Sequence, residues 1–175
     1  MSRRLEPLLR RLDGSGYDLI VLITTGVFQQ IRLHTSFVHG QQAVDASIAG
    51  LVMGDCELGL IYPLPQQHRE FAHGTLIKNA RAVVATGETT RLDAAAERLA
   101  HAELILMHSV GYTEAMARQM AELTRKPVVT ARRIIAAAIR IHLADIAASS
   151  TVGPPTRRLS ALTCPQRSWL GFRRP

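Results

Sequence analysis

Thiols, aromatic rings and long apolar runs are all scarce in this sequence, and each shortage excludes something. There are two cysteines, Cys56 and Cys164, one in the body of the chain and one near its end, so no disulfide framework is available. With no signal-type pattern at the start, this predicts a reduced, cytoplasmic protein. Aromatic residues make up 5%, too few for a platform on which nucleic-acid bases stack. The longest apolar runs, such as Leu19 to Ile23, have the length of a strand and fall far short of a membrane span, so no membrane partner is expected. Neither GxGxxG nor GxxxxGK[ST] occurs, and the histidines show no HxH or HExxH spacing. The expectation is a protein with no cofactor and no metal.

What is present fits a globular chain. Its 175 residues are 47% hydrophobic and 20% charged, enough for one well-buried domain. The net charge of +7 raises the question of nucleic acid, and its distribution answers it. Residues 1–14 carry +2 and residues 149–175 carry +5, whereas the stretch between them sums to zero. Basicity is therefore a property of the ends, and nucleic-acid binding is not expected.

Apolar periodicity organises the chain into strands alternating with helices. Leu5, Leu8, Leu9 and Leu12 mark a first helix that stops at Asp13-Gly14-Ser15-Gly16. Tyr17 to Ile23 reads as a strand covered on both faces. Residues 27 to 40 have mixed polarity and read as a long loop, followed by a helix from Gln41 to Met53. Further strands fall at Leu58 to Tyr62, Ala80 to Ala85, Leu104 to Met107 and Pro127 to Thr130. Helices are predicted to begin near Gln66 and Arg91, after Thr113, and again after the last strand. This alternation predicts an α/β fold, a doubly wound and mainly parallel sheet with helices on both faces. Residues 1–148 form the expected domain, and residues 149–175 read as a basic, disordered C-terminal tail.

In such sheets ligands bind outside the carboxyl ends of the strands, where helix N-termini leave N–H groups free. The candidate ligand-binding residues are therefore the strand-end turns: Thr24, Thr25 and Gly26; Gln66 and Gln67; and Ser109, Gly111, Tyr112 and Thr113. Thr113 also reads as an N-cap. His108 beside Ser109 is an awkward nucleophile and base, because neighbours at a strand end point to opposite faces. Arg132 and Arg133 could grip a carboxylate or simply face solvent.

The segments GYDLIVLITTGVF (16 to 28), ELGLIYPLPQQ (57 to 67), ELILMHSVGYT (103 to 113) and KPVVTARRIIAAAI (126 to 139) together resemble the AroM-like family of the aspartate/glutamate racemase-like superfamily. The resemblance runs from about Ser2 to Ala147 and implies a racemase-like fold that is incomplete here, since the family's chains begin with an earlier βα portion. A sheet left incomplete predicts an exposed edge and a possible homodimer. The superfamily's racemases use a thiol at each of two strand ends, and the family's turns resemble LCTG and DCxGYT. Here those positions hold Thr24 and Ser109, which become the catalytic candidates. An alcohol cannot serve as a resting base without help, so two-thiol racemisation is excluded. The expectation is a small-carboxylate-binding, racemase-like domain lacking both thiols. The alternative is an isomerase or decarboxylase working through an enolate-like intermediate on a small carboxylic acid.

Overall fold

A computed structural model describes residues 2–26, 31–52, 56–65, 67, 81–86 and 92–150. Helix α1 (Ser2–Asp13) is followed by strand β1 (Leu19–Leu22), strand β2 (Ser36–His39) and helix α2 (Gly40–Leu51). Strands β3 (Glu57–Tyr62) and β4 (Arg81–Thr86) come next, then the short helix α3 (Asp93–Arg98). The chain continues through β5 (Leu104–Met107), α4 (Glu114–Thr124), β6 (Val128–Thr130) and α5 (Ala131–Ser150). All strand pairs are parallel, in the orders β4-β3-β5-β6 and β1-β2.

Alternation along β3 and β5 sorts the core onto two faces. Ile61, Ile105 and Met107 pack with Leu92, Leu99, Tyr112 and Met120 beneath α3 and α4. Leu58, Leu60, Tyr62 and Leu106 pack with Val44, Ile48, Ile134 and Ile135 of α2 and α5. With helices on both faces of parallel strands, the architecture is the expected doubly wound α/β fold.

Two expectations change. The stretch 27 to 40, read as loop, contains β2 at its end; four residues with a half-polar pattern gave too little periodicity to be recognised. The strands also form two sheets. The β1–β2 pair has no ladder to the larger sheet among the described residues, and it is held by α2 and α5, which both pack on β2. The helix expected from Gln66 lies largely outside the described residues, as does the tail beyond residue 150.

One glycine fixes how the two sheets meet. A Cβ on Gly40, the first residue of α2, would lie 2.7 Å from the Thr24 carbonyl oxygen and 2.9 Å from that of Leu22, with Ile135 Cδ1 also at 2.9 Å. The start of α2 therefore sits directly on the carboxyl end of β1 and against Ile135 of α5.

Candidate functional site

The two turns that carry the catalytic candidates share one local structure. Thr24 Oγ1 accepts the Gly26 N–H at 3.1 Å, and Ser109 Oγ accepts the Gly111 N–H at 3.1 Å. Each is a hydroxyl residue, one spacer and a glycine at the carboxyl end of a parallel strand. A hydroxyl that accepts a backbone N–H retains its own proton, so both side chains can donate outward. Thr25 is buried, Thr24 and Gly26 are half-buried, and Gly111 is exposed at the rim.

Between these turns lies a buried polar cluster. The first turn of α2, seated on β1 through Gly40, carries Gln41, which is 4% exposed. Its Nε2 donates to Asp45 Oδ1 at 2.7 Å and lies 3.2 Å from His108 Nε2. An amide nitrogen can only donate, so the His108 ring accepts at Nε2 and carries its proton on Nδ1. The other side of the ring meets Tyr62, with centroids 5.0 Å apart. Burial pushes His108 down to about 4, so it is neutral at physiological pH. Burial likewise lifts Asp45 to about 6, against the opposing pull of the Gln41 N–H. Tyr62 is raised to about 12 by burial and then by the Asp45 charge.

The remaining candidates are distributed as follows. His108 faces α2, and the Ser109 hydroxyl is engaged with its own turn. Tyr112 is 1% exposed within the core under α3 and α4, which makes it a packing residue rather than part of the rim. Thr113 caps α4, its Oγ1 accepting the Met116 N–H at 3.3 Å. Gln67 is half-buried, its N–H donating to the Leu64 carbonyl at 3.1 Å, and Gln66 lies outside the described residues.

Both arginines at the start of α5 are exposed and already have protein partners. Arg132 donates from Nε and Nη2 to the Val110 carbonyl, at 3.0 and 2.7 Å. Arg133 pairs with Glu114, whose other oxygen accepts the Thr130 hydroxyl at 3.0 Å. These contacts pin the Ser109 turn and the start of α4 to α5. Arg133, followed by the Thr130 hydrogen bond, holds Glu114 below the usual carboxylate range. Cys56 stands at the amino end of β3, opposite the turns, and burial followed by the Glu103 charge raises its thiol. That is the reverse of what activates a cysteine.

The AroM protein family model matches residues 1–141. The chain belongs to the AroM family. Among solved structures, it is similar to arylmalonate decarboxylase at 16% identity and a TM-score of 0.58, covering 80% of this chain and 74% of that one. A double mutant of arylmalonate decarboxylase in liganded form gives 15% identity and the same TM-score, covering 80% and 73%. At this identity the likeness concerns the fold, which is of the aspartate/glutamate racemase-like type. No curated protein matches.

For this AroM-family chain, sequence reading missed Gln41 and Asp45. A signal was available, since the two stand four apart and share the buried stripe of Val44 and Ile48. Polar residues on an apolar helical stripe mark a buried polar contact.

Proposed function

We propose that this protein binds a small carboxylate at its two strand-end turns, as a racemase-like domain in which hydroxyls stand where its superfamily uses thiols. The observation that carries this reading is the shared turn. Thr24 and Ser109 each spend an acceptor lone pair on a backbone N–H and keep an O–H to donate, which suits an anion and does not suit a base. Neighbouring carboxylates do not compete, because Glu114 is paired with Arg133 and Asp45 is turned to Gln41. The test is binding of two- to six-carbon mono- and dicarboxylates, followed by NMR. Thr24→Val and Ser109→Ala should each weaken binding by about tenfold, the worth of one charge-assisted hydrogen bond. A panel that binds nowhere, or equal binding by the double variant, sinks the proposal.

The likeness to a decarboxylase favours a second reading, in which the same O–H groups hold the charge of an enolate-like intermediate during isomerisation or decarboxylation. Incubating 2-substituted carboxylates with the protein in deuterated buffer tests it. Exchange at the α-carbon is expected, and its absence across the panel rules the chemistry out.

A further inference from the structure

The stretch before β2 supplied no candidate from sequence, yet it borders a cavity. Ile31, Arg32, Phe37, His39 and Gln42 line a space of about 220 Å³ beside the first turn of α2. Each of its polar residues, Arg32, His39 and Gln42, carries a donor. Among the described residues, the Arg32 guanidinium has no hydrogen-bond or ion-pair partner. His39, 7% exposed, is the N-cap of α2, and its Nδ1 accepts the Gln42 N–H at 3.4 Å. The proton of the neutral ring therefore sits on Nε2, and burial keeps the ring neutral by lowering its pKa. The first turn of α2 contains no acidic residue, so no side-chain charge within it neutralises the positive end of the helix dipole.

No carboxylate among the described residues lines the cavity, and Asp45 and Asp13 are engaged elsewhere. Asp45 accepts from Gln41. Asp13, at the end of α1, accepts the His34 N–H at 3.0 Å and the Thr35 N–H at 2.7 Å, which anchors the segment carrying Arg32. The remaining walls are apolar: Ile31 and Phe37, the latter set edge-on to His39 with ring centroids 6.1 Å apart. The volume is below the roughly 300–1,000 Å³ of drug-sized sites, which limits the occupant to a small molecule.

We infer that this cavity binds a small organic monoanion with an apolar body, its carboxylate against Arg32 and the start of α2 and its apolar part against Ile31 and Phe37. The inference uses none of the residues of the two hydroxyl turns, so it stands or falls separately from the function proposed above.

Benzoate is a suitable probe, with benzamide as its uncharged isostere and inorganic phosphate as an anion without an apolar body. Binding is measured by calorimetry and by backbone amide shifts, on the full chain and on Arg32→Gln, Arg32→Lys and Thr24→Val/Ser109→Ala. Benzoate should bind, with shifts at Phe37 and Gln42, and benzamide and phosphate should bind at least about tenfold more weakly. Arg32→Gln should weaken benzoate by about tenfold or more and Arg32→Lys by less, because lysine keeps the charge and loses the fork. Arg32 is exposed, and an unchanged melting temperature will show that the variants fold. Undiminished binding by Arg32→Gln, or no benzoate binding by the wild type, overturns the inference. So does loss of benzoate only in the Thr24→Val/Ser109→Ala protein, which would place the ligand on the turns.

Discussion

At the scale of single residues, His108 and Asp45 are shifted in opposite senses by the same burial. His108 has a native pKa of about 4, below its ordinary 6.5. Between those values the unfolded chain holds a proton that the native state lacks, so this group costs stability as pH falls from 6.5 toward 4. Asp45 has a native pKa of about 6, above its ordinary 3.8. There the native state holds the extra proton, so this group adds stability as pH falls from 6 toward 3.8. From pH 6 to 4 the two slopes oppose each other in the wild type. Asp45→Asn should uncover the histidine and make the protein lose stability steadily through that window. His108→Asn should uncover the aspartate and do the reverse. Melting temperatures of the three proteins across pH 4 to 7 decide this, read as differences from the wild type because the shifted groups His39, Asp13 and Glu114 are common to all of them. Parallel profiles would refute the opposition. The two residues were not equally legible in sequence. His108 stood at a strand end and drew notice, whereas Asp45 read as an ordinary polar residue of a helix.

At the scale of elements, the placement of α2 decides whether the two turns belong to one site. Gly40 is the point of contact, since any side chain there meets two backbone oxygens that cannot swing aside. Gly40→Ala should lift α2 from β1 and destabilise the protein by roughly 1–3 kcal/mol, the usual cost of overpacking, despite alanine's better helix propensity. Urea denaturation measures that loss, and the Gln41 contact to His108 should loosen with it, visible as a change in the His108 ring signals. A neutral or stabilising effect would mean that α2 can move freely. Most strands and helices were legible in sequence because their apolar periods are regular. The exception was β2, too short and too polar to announce itself. It also carries Phe37 and His39 of the cavity, so the same gap hid a candidate site.

At the scale of the molecule, β1–β2 and the larger sheet depend on the same two helices. No helix among the described residues is long and apolar enough to cross a membrane, and the buried faces of α2 and α5 pack on the larger sheet and on β2, while Leu51, Ile141 and Leu143 stay exposed. A two-stranded sheet alone is marginal in water, so β1–β2 borrows its stability from this layer. The division was not legible beforehand, because alternating strands and helices look the same whether they build one sheet or two. Ile48, 0% exposed in α2, belongs to the core of the larger sheet. Ile48→Ala should cost about 2–5 kcal/mol, as for other buried isoleucines truncated to alanine. The loss should also reach the smaller sheet through the seating of α2, which packs on β2. Amide hydrogen exchange separates the cases. If the helices couple the sheets, protection at Val21 and Val38 falls together with that at Ile105 and Leu106. If only the larger sheet responds, β1–β2 is held by contacts outside the α2–α5 layer.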